Sequence, residues 1–429
     1  MTPINEKRTI QIMKQQKDLG AVKKCQICSN PELRIILPLG HQPIVQAYLT
    51  ENQLSEPEIT YPLNLCRCPK CGLLQIDHVI NPKFVFPKSY PYRTGLTNML
   101  VRNFRELVVT LEKKYHLKKN DLIIDIGSND GTLLQGFKEK GMRVLGIEPT
   151  NAARVANKNG IETLQEFFTD KTAKKILNKY GEAKIVAATN VFAHIPNPPE
   201  LTKNIKKILR PDGVFVSESQ YLMDIIEKTE FDTIYHEHLR IYSLKPLAKL
   251  FSLSGMSLTD AERITAAGGS IRAYAQQGRR KASRQVKNLM AAEETAGIYD
   301  VEVLKKFTKK IINAKNDLVA LLLKLKRSGA TIAGIGSPAR ANTLLGFTKI
   351  NTHLLDYACE KSGSPKIGLF TPGTHIPVVD EKRLFEKQPD YALILSWHIG
   401  KELMPILRKN GYKGKFIMPL PVPKIIKEI

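Results

Sequence analysis

The sequence predicts an α/β protein with two doubly wound sheets, one central and one carboxyl-terminal, behind a small cysteine-rich module. Three observations carry this. Short apolar runs alternate with segments of helical period from about residue 98 onward, and again beyond residue 330, the pattern of largely parallel sheets with both faces covered. A glycine-containing turn follows the first strand of each series, at Gly127 and at Gly334–Gly336. Five of the six cysteines crowd between Cys25 and Cys71.

Four consecutive sections result: a flexible basic tail over 1–24, a zinc-binding module over 25–80, an α/β unit over 81–262 and a second α/β unit over 263–429. In the module, Cys25-Gln26-Ile27-Cys28 and Cys68-Pro69-Lys70-Cys71 are two CxxC knuckles. Each offers two thiolates from one tight turn, so together they fill a tetrahedral Zn2+ site, closed to water and structural. Cys66 has a spacing to Cys68 that suits a strand. The first α/β unit is expected to contain a helix over Asn98–Tyr115, strands at Asp121–Ile126, Arg143–Glu148, Lys184–Thr189 and Gly213–Glu218, and a helix from Thr132. A long helix over Val301–Arg327, with apolar residues at helical spacing, leads to strands at Thr331–Ile335, Leu354–Ala358, Ala392–Leu395 and Lys415–Met418.

Hydrophobic residues make up 42% and charged residues 25%, the mixture of an ordinary globular protein. No apolar run approaches the roughly 18 residues of a membrane span, and the polar start lacks a secretory signal, so a cytoplasmic protein is expected. A formal charge of +24, from 65 Lys and Arg against 41 Asp and Glu, implies anionic partners: nucleic acid, or a small phosphorylated substrate. A merely solvated basic surface, as on the helix faces bearing Lys305, Lys306, Lys309 and Lys310, stays open beside them.

The first glycine turn reads Asp125-Ile126-Gly127-Ser128-Asn129-Asp130-Gly131, and Glu148 ends the next strand. Gly127 and Gly131 let the backbone turn beneath a ligand, and an acid at the second strand tip can accept both hydroxyls of a ribose. Asn129 replaces the middle glycine of a dinucleotide loop, and carboxylates beside the turn favour a cationic ligand over phosphate. The pattern resembles the class I S-adenosylmethionine methyltransferases and implies their Rossmann-like domain here. The resemblance further implies that Glu166 and Phe167 border the adenine and that Asn190 lies near the methionine part.

Three more motifs, Tyr90-Pro91-Tyr92, Tyr235-His236-Glu237-His238 and Gly268-Gly269-Ser270-Ile271-Arg272, together with the cysteine module, resemble the sugar-nucleotide C-methyltransferases. These methylate C3 of 4-keto-deoxysugars carried on dTDP, and their plan ends in a second Rossmann-like α/β domain. The resemblance implies His238 as the base, Glu237 as its orienting or sugar-binding partner, and Tyr90, Tyr92 and Tyr235 as hydroxyls near the keto oxygen or the ring. His194 is a second candidate base. A carbon next to a ketone becomes nucleophilic once a positioned base removes its proton. In the last section, Gly334-Ile335-Gly336-Ser337 opens a helix and could cradle an anion, either the substrate diphosphate, with Arg340 and Lys366 as charge partners and Arg272 and His398 as further contacts, or nothing, if the fold serves only packing. An RNA methyltransferase and a zinc-containing nucleic-acid-binding protein stay open as alternatives. Against them, aromatics are only 7% and the zinc segment has no run of basic residues interleaved with aromatics. Monomer and homodimer are both compatible with the chain.

Overall fold

The computed structural model describes residues 20–426; residues 1–19 of the expected basic tail lie outside them. Contacts divide the chain into two units: one holds the chain up to Arg34, Cys66–Leu222 and Leu239–Gly297, the other Ile35–Leu65, Met223–His238 and Ile298–Ile429. This division cuts across the consecutive sections read from the sequence. Ile35–Leu65 and Met223–His238 join the carboxyl-terminal unit, and residues 263–297 join the first.

The first unit is built on seven strands: β1 (Leu122–Ile126), β2 (Arg143–Ile147), β3 (Thr163–Leu164), β4 (Ala183–Thr189), β5 (Leu209–Gln220), β6 (Met256–Ile264) and β7 (Ser270–Gln277), in the order β6-β7-β5-β4-β1-β2-β3. The strands from β3 to β5 in that order are parallel. β7 runs antiparallel to both β5 and β6. The sheet therefore carries an antiparallel hairpin that the strand–helix alternation does not reveal, because only a three-residue 3-10 turn, Ala266–Gly268, separates its two strands. Gly268 and Gly269 lie in the turn of that hairpin, and Ser270–Arg272 begin β7.

Helix α1 (Asn98–Tyr115) buries Phe104, Leu107, Val108 and Leu111, the i, i+3, i+4, i+7 stripe of an amphipathic helix. They pack with Leu133, Leu134 and Phe137 of α2 (Thr132–Glu139) against Ile123, Ile185 and Val214 of the sheet. α1 stops where His116 turns left-handed, with Lys113 and Lys114 in the last turn, where cations face the negative end of the helix dipole.

The second unit has strands β8 (Ile332–Ile335), β9 (Tyr357–Glu360), β10 (Val378–Asp380), β11 (Tyr391–Ile394), β12 (Lys415–Met418) and β13 (Lys424–Ile426), ordered β10-β9-β8-β11-β12-β13. All pairs are parallel except the last. β9 begins later than the expected Leu354, because Leu354 and Leu355 close a turn onto the Asn351 carbonyl and their apolar character serves burial there, not strand pairing. Helix α3 (Val301–Arg327) is capped by the Asp300 side chain and buries Leu304, Phe307, Ile311, Leu318, Leu322 and Leu325.

Within the first unit, Arg272 on β7 is buried and pairs with buried Glu218 on β5 at 2.9 Å, while Asn103 of α1 bonds both. Removing one partner of a buried pair leaves the other charge uncompensated. Glu218→Ala is predicted to cost about 3 kcal/mol, seen as a lower urea midpoint; an unchanged midpoint would show that the pair carries no stability.

Candidate functional site

The glycine loop lies at the carboxyl ends of β1 and β2, the edge where ligands bind in open α/β sheets. Gly127 adopts φ +72°, and a β-carbon there would stand 2.6 Å from Val191 Cγ2, so this turn requires glycine. Its amide donates to the Ile147 carbonyl at 2.7 Å. Asn129, with φ +50°, donates its backbone N–H to Glu148 Oε2 at 3.1 Å. The other Glu148 oxygen accepts from Thr150 N at 2.9 Å. Two bonds leave further lone pairs on this buried carboxylate for a diol.

Asp125 is buried in β1, and burial followed by repulsion from Glu148 holds its pKa well above the ordinary carboxylate value. Its Oδ1 and the Ser128 hydroxyl are buried without a hydrogen-bond partner among the described residues. Two buried carboxylates and an unanswered oxygen fit a cationic, donor-bearing ligand such as S-adenosylmethionine.

The loop is tied to the Tyr90-Pro91-Tyr92 segment that follows the cysteine module in sequence. Asn129 Oδ1 accepts from Thr94 N at 3.0 Å, Asn129 Nδ2 donates to the Tyr92 carbonyl at 3.3 Å, and Asp130 Oδ2 accepts from Gly95 N at 2.8 Å. Gly131, at φ +83°, caps α2. Tyr92 is exposed overall, yet crowding about its hydroxyl pushes its pKa up to about 12, so it remains a neutral donor. Tyr90 is buried edge-on against Phe86, and Phe86 stacks on His194 at 5.4 Å. Asn190, at φ +56°, follows β4 directly and donates its backbone N–H to the Glu218 carbonyl at 2.8 Å. Glu166 is half-buried, with its carboxylate held by Lys175 at 2.6 Å, and Phe167 is half-buried beside it.

In the same unit, the Sγ atoms of Cys25, Cys28, Cys68 and Cys71 all lie within 4.8 Å of one another, with Cys25–Cys71 and Cys28–Cys68 at 3.5 Å. Four sulfurs at ~2.3 Å around a tetrahedral zinc stand roughly 3.8 Å apart, so the cluster fits that ion. Cys66 is outside the cluster, and burial raises its thiol to about 12.

In the second unit, Tyr235, His236, Glu237 and His238 are all buried. His238 Nδ1 stands 2.6 Å from the Thr233 carbonyl. A carbonyl only accepts, so Nδ1 carries the proton and Nε2 presents its lone pair. Burial, then the nearby Arg340 cation, lowers the His238 pKa to about 4, which keeps the ring neutral. The Tyr235 ring lies 4.1 Å from it, centroid to centroid.

The segment bearing these residues is fastened by Asp232, which accepts two bonds from Arg340 at 2.8 Å and one from Trp397 Nε1 at 2.7 Å. Two of the expected substrate contacts are already engaged by carboxylates of the protein. Arg340 is buried with its charge answered by Asp232 and Glu230, which makes it a poor phosphate partner. Arg272 is likewise committed to Glu218. Ser337 N donates to Glu360 Oε1 at 2.6 Å, and Lys366 Nζ donates to the Ser337 carbonyl at 2.6 Å, so the anion in this glycine turn is the protein's own carboxylate. His398 is held neutral by burial and by Arg340, with Nδ1 lacking a partner among the described residues, which suits a neutral contact and not a cationic one. Asp232, Trp397 and Arg240 escaped the sequence reading; a charged residue inside an apolar run, as in Leu239-Arg240-Ile241, is the available signal.

Comparison with known proteins adds three consecutive family matches: "Putative zinc binding domain" over residues 25–86, "Methyltransferase domain" over 98–261 and "C-methyltransferase C-terminal domain" over 265–421. The chain is 29% identical over 411 residues to the C-methyltransferase NovU of Streptomyces niveus, spanning 94% of this chain and 97% of that protein. It is 28% identical over 103 residues to a ubiquinone biosynthesis O-methyltransferase of Actinobacillus pleuropneumoniae, 21% of this chain and 42% of that protein. Among solved structures, magnesium protoporphyrin IX methyltransferase from Synechocystis with bound SAH matches 42% of this chain and 84% of its own at 12% identity, with a TM-score of 0.33.

Zinc content is predicted at about one ion per chain, and Cys68→Ser should abolish it; a metal-free protein in reducing buffer would reject the site. A cation placed beside Asp125 favours its ionised form and releases a proton. Affinity for S-adenosylmethionine should therefore be weak where Asp125 holds its proton and rise with pH through its elevated pKa. Calorimetry across pH checks this: Asp125→Asn should weaken binding about tenfold and flatten the slope.

Proposed function

We propose that the chain is an S-adenosylmethionine-dependent C-methyltransferase with an amino-terminal zinc-binding domain, and that its acceptor is the C3 carbon of a nucleotide-linked 4-keto-deoxysugar of the dTDP type. The observation that carries the reading is His238: buried, neutral, and fixed by the Thr233 carbonyl in the tautomer that offers Nε2 as a base. S-adenosylmethionine, when bound, supplies an electrophilic methyl carbon on a sulfonium.

His238 Nε2 takes the proton from C3, and the electron pair of that C–H bond passes into an enolate at the keto oxygen. Hydroxyls of Tyr90, Tyr92 and Tyr235 are assigned to donate to that oxygen, the electrostatic contribution that counts most in such reactions. Glu237 orients His238 or binds the sugar, and His194 is the second candidate base. Asp125 and Glu148 hold the cofactor ammonium and ribose, with Glu166, Phe167 and Asn190 beside the adenine and methionine parts. The anionic carrier suits a chain of net charge +24, with Lys366 and His398 as the remaining substrate contacts.

Incubation with S-adenosylmethionine and a panel of nucleotide-linked 4-keto sugars, read by mass spectrometry beside an RNA control, tests the reading. A gain of one methyl on a sugar supports it; methylation of RNA alone overturns it. His238→Ala should lower kcat by about 10²–10⁴. Because His238 acts deprotonated and its pKa is lowered to about 4, kcat/KM for the sugar at saturating S-adenosylmethionine should persist as pH falls below the ordinary histidine value of about 6.5 and decline only further down. A limb near the ordinary value would reject His238 as the base.

A further inference from the structure

The first CxxC knuckle carries Gln26 between two thiolates, and this residue is clamped from both sides. Its backbone N–H donates to Oε1 of the fully buried Gln75 at 2.9 Å. Its own Oε1 accepts from Arg240 Nη1 at 2.6 Å. Arg240 is buried to 1% exposure. Its Nε donates to the Tyr242 hydroxyl at 2.9 Å, and its Nη2 faces the carbonyls of Phe192 at 3.3 Å, Ala193 at 3.2 Å and Ile195.

Those carbonyls belong to the irregular backbone that leaves β4 after Asn190. Val191 of this loop lies against Gly127, where even a β-carbon would not fit. One guanidinium thus joins the metal knuckle to the loop that walls the cofactor turn, and all of these residues lie in the first unit.

We propose that Gln26 and Arg240 are positioning residues through which the zinc knuckle sets the 190–195 loop and hence the affinity for the cofactor. The physical reason is that a desolvated guanidinium keeps its orientation only while its donors are answered. Loop carbonyls at a strand end need donors from outside a ladder; Ala193 also accepts from Leu239 N at 3.1 Å, and the Arg240 fork is the donor that the three carbonyls share. If the Gln26 acceptor is lost, the fork turns toward other oxygens and the three carbonyls lose their common anchor. The zinc is then more than a staple for its own module, and the inference is independent of which acceptor is methylated.

The test uses the full zinc-loaded chain and three variants: Gln26→Glu keeps an acceptor, Gln26→Ala removes it, and Gln26→Lys sets a like charge against Arg240. Zinc content, calorimetric affinity for S-adenosylhomocysteine and hydrogen exchange of amides 190–197 are measured together. With zinc retained at one per chain, affinity is expected to fall about threefold to tenfold in Gln26→Ala, further in Gln26→Lys, and to stay near the parent in Gln26→Glu. Exchange at 190–197 should rise in the same order. Unchanged exchange and affinity in Gln26→Ala, or an equal loss in Gln26→Glu, overturns the proposal. Should Gln26→Ala lose zinc, the rank of Gln26→Glu against the parent in loop exchange decides it: faster exchange with zinc retained overturns it, and parental exchange supports it.

Discussion

A buried carboxylate, Asp125, whose ionisation is opposed by burial and by the nearby Glu148, is the constraint around which the first unit is organised. The parallel register of β1 with β2 sets Asp125 opposite Gly146 and Ile126 opposite Ile147, so Glu148 emerges one residue beyond the strand pair, within repulsive range of Asp125. A like charge in a desolvated space opposes the ionisation of Asp125, and among the described residues no cationic side chain is bonded to it. A sulfonium amino acid answers this tension with its own charge. A phosphate-bearing dinucleotide would add to it, which is how nearly the same strand–turn–helix unit is steered from one ligand class to another.

The second sheet repeats the backbone arrangement and removes the opportunity. Gly336 N donates to the Cys359 carbonyl at 2.8 Å as Gly127 N does to Ile147, and Ser337 N meets Glu360 as Asn129 N meets Glu148. Yet the Tyr48 hydroxyl donates to the Ser337 carbonyl at 2.6 Å, and Lys366 occupies the same oxygen while lying 5.1 Å from the centre of the Tyr48 ring. The turn is filled from within. What the two sheets share is therefore a way of terminating strands; whether a ligand enters depends on which side chains have already taken the polar positions.

Much of the cofactor side was legible in sequence because its chemistry is local: Asp125 through Gly131 is one turn, Glu148 closes the next strand, and each pair of cysteines sits in a four-residue knuckle. The helices at 98–115 and 301–327 were legible for the same reason, their burial repeating every three or four residues. What stayed hidden depends on partners far apart. Arg340 reads as a free cation until Asp232, 108 residues earlier, is seen to hold it. Arg272 reads as a candidate substrate contact until Glu218 and Asn103 enclose it. The β6–β7 hairpin went unread because antiparallel return needs no helix, and short helical turns at 94–96 and 266–268 carry no period to detect.

The Asp232 clamp bears on how the chain matures. Asp232 is translated well before either of its anchors, Arg340 and Trp397, the second of which follows it by 165 residues. While the first sheet can pair as it leaves the ribosome, the segment bearing Asp232 and His238 has only earlier-made partners, such as Pro62 and Tyr61 at His236, until Trp397 has emerged. Contacts so remote in sequence form late, so the clamp on this buried segment closes only after β11 and the Trp397 turn that follows it have been made.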